Sequence, residues 1–135
     1  TMSDKTVMDA KTFFKTYFDR LIRISGYSFA DLMPTNINNL QLRDNGYSNE
    51  IKQAERVIHC VAKAINDSKS EPRKPYKAIL TGVYLKNELN WEVRNEIGYS
   101  NTRYYVLKKQ ALEEFAERFN YYAVQEGIST LIELS

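Results

Sequence analysis

Asn90-Trp91-Glu92-Val93-Arg94-Asn95-Glu96-Ile97-Gly98-Tyr99-Ser100-Asn101-Thr102-Arg103-Tyr104-Tyr105-Val106-Leu107 is the stretch from which the fold can be read. Its first eight residues suit a short helix, with Asn90 a candidate N-cap and Gly98 a left-handed terminator. Only Gly98 and Tyr99 separate that helix from Ser100, a strong N-cap for a longer one. The longer helix carries Tyr104, Leu107, Ala111, Phe115, Arg118 and Tyr122 along one face, with Leu112 and Phe119 flanking it, and stops at Gly127. A short helix, a tight turn containing Gly, then a longer helix capped by Ser is the plan of a helix-turn-helix. Val93, Ile97, Tyr99, Tyr104 and Leu107 would close its small core. A preceding helix, with Tyr76, Ile79, Leu80, Val83 and Tyr84 at helical spacing, supplies the third wall.

Upstream, Asp67-Ser68-Lys69-Ser70-Glu71-Pro72-Arg73-Lys74-Pro75 is polar, charged and broken by two prolines, the composition of a linker. Before it, residues 49–66 place Ile51, Ala54, Val57, Ile58, Val61, Ala62 and Ile65 on a continuous apolar helical face. His59 and Cys60 lie beside that stripe and read as packing or flanking residues, since neither has a nucleophilic partner in a recognisable motif. Ser28-Phe29-Ala30-Asp31 has the spacing of a capping box, so a short helix is expected to start there and stop before Pro34. The Asn-rich segment from Pro34 to Tyr47 reads as a loop, although Leu40 and Leu42 ahead of Asn45-Gly46 leave a hairpin open. Residues 6–24 put Val7, Ala10, Phe14, Tyr17, Phe18 and Leu21 at steps of three and four, predicting one amphipathic helix ended by Gly26. The expected fold is all-α, with an N-terminal helical unit over 1–66 and a linker over 67–75. A helix-turn-helix domain with a long C-terminal helix follows over 76–135.

At 135 residues the chain is one domain or two very small ones. Hydrophobic residues make up 43% and charged residues 27%, mean hydropathy is −0.52, and no apolar run approaches the length of a membrane span, so a globular, cytoplasmic protein is expected. One cysteine and one histidine allow neither an internal disulfide nor a zinc site. The five glycines never approach a phosphate-loop or dinucleotide spacing, so no metal or cofactor is expected. With no carboxylate pair in a recognisable motif either, an enzyme is the least supported class.

Net charge is only +2, but it is unevenly placed. Residues 1–69 carry +2, residues 70–110 carry +4 and residues 111–135 carry −4, which points to a local anion-binding surface. With about 100° per residue, Thr102, Tyr105, Val106 and Lys109 point away from the apolar face of the last helix. Arg103 falls in the first turn, where a cation opposes the helix dipole at a cost of about 0.3 to 1 kcal/mol, a placement that makes sense against a phosphate. The alternatives are a solvated polar face with an incidental Arg103, and a Tyr105 that is partly buried. Beyond Gln110 the outward residues become Glu113, Glu114 and Glu117, so only about ten residues, ~15 Å of helix, suit a major groove.

Tyr76-Lys77-Ala78-Ile79-Leu80, Tyr84-Leu85, Trp91-Glu92-Val93, Ile97-Gly98-Tyr99-Ser100 and the run Tyr104 to Ala116 resemble the C-terminal half of ArpU-family phage regulators. The helix-turn-helix of that family in turn resembles the promoter-binding region four of bacterial sigma factors. The resemblance is specific over about residues 76–119 and looser over 8–66. It implies a transcriptional regulator of a phage or prophage of a Gram-positive bacterium, acting on late genes for packaging and lysis. Arg94 departs from the pattern, because that position of the first motif helix is commonly small; either its stem packs and its head reaches a phosphate, or the helices sit further apart.

On this reading the partner is double-stranded DNA. Asn101, Thr102, Tyr105 and Val106 face base edges, and Arg103, Lys108, Lys109, Lys77, Lys74, Arg73 and Arg94 hold phosphates. Two other classes stay open: a DNA-packaging component such as a small terminase subunit, and a protein adaptor that binds host RNA polymerase. The aromatic helix with Phe13, Phe14, Tyr17 and Phe18 reads as core, with a homodimer that shares some of it as the alternative.

Overall fold

A computed structural model of the chain describes residues 5–42 and 48–135. In order, the elements are β1 (Thr6–Met8), α1 (Ala10–Thr16), α2 (Phe18–Ser25), two 3-10 turns (Phe29–Leu32 and Pro34–Asn39) and α3 (Asn49–Asp67). Then come α4 (Tyr76–Leu80), which widens into a π turn at Thr81–Leu85, α5 (Asn90–Ile97), α6 (Asn101–Gln125) and β2 (Ile132–Leu134). The fold is mostly helical, as expected, with one addition: β1 and β2 pair in parallel, Thr6 opposite Ile132 and Met8 opposite Leu134.

That pairing corrects the single helix expected over 6–24. Its first residues are extended, Asp9 caps α1 by accepting from Thr12 N at 2.7 Å, and the helical path breaks at Tyr17. Val7 and Tyr17, which the apolar spacing assigns to the core, are exposed. The bend instead brings Phe13, Phe14 and Phe18 together, with Phe14 edge-on to Phe18 at 5.1 Å. The capping box at Ser28 forms as read, Ser28 N donating to Asp31 and Asp31 N to Ser28, but the segment it opens is a single 3-10 turn. Pro34 to Asn39 is also 3-10 rather than irregular loop, and the Asn45-Gly46 turn lies outside the described residues.

Helix α3 runs where its stripe predicts and is buried on more than one face, because α2, α4 and α6 all pack against it. His59 and Cys60 are inside, and burial pushes the Cys60 thiol up to about 12, which removes it as a nucleophile near neutral pH. His59 Nε2 meets the Tyr27 hydroxyl at 3.2 Å, and that hydroxyl donates to the Gln41 carbonyl. Arg56 and Lys63 both pair with Glu126 at the end of α6, at 3.5 and 2.8 Å.

The packing also corrects the division into two units at residues 67–75. One continuous core includes Phe13, Phe18 and Ile58 from before that segment and Leu80, Phe115 and Phe119 from after it. Phe14 stacks on Tyr84 with centroids 3.9 Å apart, and Phe13 lies 5.9 Å from Phe119. Residues 67–75 are themselves held down: Ser68 is buried, Lys69 N donates to Glu114, and Glu71 and Lys74 exchange backbone hydrogen bonds across a reverse turn. A Pro-containing polar segment therefore wraps a shared core instead of separating two.

Candidate nucleic-acid interface

One glycine-terminated turn, one serine cap and one buried glycine set the relation of α4, α5 and α6. Gly98 adopts φ 76° and its N–H returns to the Arg94 carbonyl at 2.9 Å, ending α5. Ser100 then caps α6 by accepting from Arg103 N at 3.3 Å. At Gly82 a Cβ would lie 2.8 Å from Val93, so the absence of a side chain lets the π turn after α4 press against the buried face of α5. Asn90 is not the N-cap of α5, which falls on Leu89, whose N–H donates to Glu92. Its Oδ1 instead accepts from the Tyr104 hydroxyl at 2.7 Å and from Lys108 Nζ at 3.0 Å, tying the start of α5 to α6.

Tyr104, Leu107 and Ala111 are fully buried against this scaffold. Burial pushes the Tyr104 hydroxyl up to about 12, so it donates as a neutral phenol throughout the physiological range. On the opposite side, Asn101, Thr102, Arg103, Tyr105, Val106 and Lys109 are all exposed. Thr102, Val106 and Lys109 lie nearest the centre of that outward face at about 100° per residue. Tyr105 stands to one side, its ring edge-on to Tyr104 at 5.1 Å and about half exposed, which combines both readings its position allows.

The other flank faces α4 and the 67–75 segment. Gln110 accepts from the Tyr76 hydroxyl at 2.9 Å, and Glu114 accepts from Lys69 N at 2.9 Å, so Glu114 turns inward and is not an outward acid. Arg103 shares this flank nearer the start of α6. Burial holds the Tyr76 hydroxyl above its ordinary range, against the pull of the nearby cations Lys69 and Arg103. The Tyr99 hydroxyl donates to the Pro72 carbonyl, which docks the exposed Arg73 and Lys74 beside the α5–α6 connection.

Three of the expected phosphate ligands are placed differently. Lys108 is half-buried, bonded to Asn90 and 5.8 Å above the Tyr84 ring; burial depresses its pKa, and Lys11 adds to that. It is a strut between helices. Arg94 is half-buried, with its Nε enclosed and without a hydrogen-bond partner. Lys77 is only half-exposed, its N–H bonded to the Lys69 carbonyl. Along the second half of α6, Phe119 takes the buried position assigned to Arg118, which is exposed and pairs with Glu114 at 3.9 Å. Residues that the sequence did not single out are Gly82, Asn90 in its bridging role, and Lys11, which α1 brings beside Lys109. A Gly two residues ahead of Tyr84 on an apolar helix was the one available signal among them.

Among the described residues no helix is long and apolar enough to cross a membrane. A family model described as a protein of unknown function, DUF1492, matches residues 41–116, more than half of the chain. Neither a curated protein nor a solved structure matches.

Proposed function

We propose that this chain, which belongs to the DUF1492 family, is a sequence-specific DNA-binding transcriptional regulator of phage or prophage late genes. The observation that carries the reading is the division of charge and exposure along α6. Its first turns present Thr102, Val106, Lys109 and Tyr105 to solvent, with Arg103, Arg73 and Lys74 beside them, while Glu113 and Glu117 are the outward residues only further along. A helix so arranged enters a major groove by its N-terminal end: short polar and apolar side chains meet base edges and the cations meet phosphates. The resemblance of residues 76–119 to the ArpU-family and sigma region-four pattern is what suggests late genes as the target.

One observation favours an additional contact with host RNA polymerase. Leu89 and Trp91, at the start of α5, are 58% and 57% exposed, an apolar pair that a protein partner would cover. The deciding experiment is nuclease footprinting of the full chain on the late promoter region of the phage that encodes it. A discrete protected site is expected. Equal affinity for promoter and random duplex would overturn sequence specificity, and ring-shaped oligomers by light scattering would favour the packaging reading.

A further inference from the structure

The start of α1 and the outer side of α6 enclose a groove of about 420 Å³. Its walls are apolar, from Ala10, Leu112 and the Tyr105 ring, and Lys11, Lys108 and Lys109 all line it. Asp9, Glu113 and Ser135 line it too. Asp9 is committed to capping α1 through Thr12 N, and Glu113 lies one turn beyond Lys109. Lys108 is fixed by Asn90, whereas Lys11 and Lys109 make no ion pair among the described residues. Burial depresses the Lys108 pKa and Lys11 adds to that, while the Thr12 hydrogen bonds, with Lys11 adding, hold the Asp9 carboxyl below its ordinary range, so Lys11 stands near both groups in the groove.

This groove lies on the side of α6 opposite Arg103 and the turn bearing Arg73 and Lys74. A helix in a major groove about 12 Å wide has a phosphate strand along each side. The Arg103 flank supplies cations for one strand; the second strand needs its own.

We propose that the groove between α1 and α6 seats the sugar-phosphate backbone of that second strand, with Lys11 and Lys109 as its phosphate contacts. The inference rests on the DNA-binding reading and deepens it, since it recruits the N-terminal helix into the interface. Ala10 and Leu112 offer the deoxyribose an apolar wall, which suits the mixed lining.

The test is the salt dependence of full-length protein binding to random duplex. Lys11→Ala should weaken binding several-fold and lower the salt slope by about one unit, the value for one lost phosphate contact. Lys11→Glu should weaken it further. Lys11 is exposed, so both variants should melt with the wild type. Arg23→Ala, at an exposed cation of α2 that does not line the groove, should leave the slope unchanged. A wild-type slope for both Lys11 variants, with a reduced one for Arg103→Ala, would remove α1 from the interface and leave the DNA reading standing. An equal fall for Arg23→Ala would reduce the effect to net charge and overturn the groove assignment. Failure of the wild type to bind duplex at all would overturn both readings.

Discussion

The two halves of α6 carry opposite charge, basic before Glu113 and acidic from it onward, and are used in opposite ways. In the first half, burial is confined to a narrow strip of Tyr104, Leu107 and Ala111, and the rest of the circumference faces solvent. In the second half, Phe115, Ala116, Phe119 and Ala123 widen the strip, α1 and α3 cover it, and Asn120 exchanges hydrogen bonds with the backbone of Leu134 at 2.6 and 2.9 Å. A 25-residue helix is about 37 Å long, so one end can be anchored in a core while the other projects. The lesson is that the rigidity of the presenting end is borrowed from the buried end.

The largest effect should come from cutting the anchor away. A fragment spanning 74–135 loses the Phe13 and Phe14 rings that cover Phe115, Phe119 and Tyr84, and loses the strand that pairs with β2. Circular dichroism should show little cooperative unfolding for this fragment, against a sharp transition for the full chain. A cooperative transition in the fragment would mean that the first half of α6 and its α4–α5 frame stand alone.

Two adjacent tyrosines set the next comparison within the first half. Tyr104→Ala empties a fully buried site and removes the Asn90 bridge, a loss on the order of 3 to 5 kcal/mol in stability. Tyr105→Ala removes an exposed ring, so the melting temperature should move little, while the preference for the specific site over random duplex should fall by about 1 to 3 kcal/mol. Equal melting shifts for the two variants would place Tyr105 in the scaffold and narrow the reading face to Asn101, Thr102 and Val106.

A smaller structural effect is expected at Gly82. An added methyl would meet Val93 at 2.8 Å, and overpacking of that kind costs about 1 to 3 kcal/mol as α5 shifts. Gly82→Ala should therefore lower the denaturant midpoint and weaken specific binding together. Unchanged binding despite lost stability would show that the position of α5 does not govern how α6 is presented.

How much of this was legible in the sequence depends on how local the cause is. Gly98 and Ser100 punctuate the chain by their own backbone and side chain, so the α5–α6 connection could be read directly, and so could α3 from its stripe. The break of 6–24 into β1, α1 and α2 could not, because β1 is fixed by residues more than 120 positions away. The shared core was hidden for the same reason: the polar, proline-broken composition of 67–75 reports local solvation, not that Glu114 and Pro72 tie the segment to α6 and to Tyr99. Lys108 and Lys109 show the limit most closely. They are adjacent lysines about 100° apart on one helix, and only the position of Asn90 decides which becomes a strut and which stays free.

The smallest effects test whether the charge division along α6 matters in solution as it does on paper. Arg103→Ala and Lys109→Ala should each lower the salt slope of duplex binding by about one unit, with equal losses on specific and random sequence, because a phosphate contact carries no base information. Glu117→Gln, on an exposed site in the second half, should leave the slope nearly unchanged, since a helix entered by its first ten residues keeps Glu117 roughly 12 Å or more beyond Lys109, at 1.5 Å per residue, and past the 8–10 Å screening length at physiological salt. A slope change at Glu117 as large as that at Lys109 would mean that DNA lies along the whole helix, and the contrast between its two halves would have to be redrawn as one continuous surface.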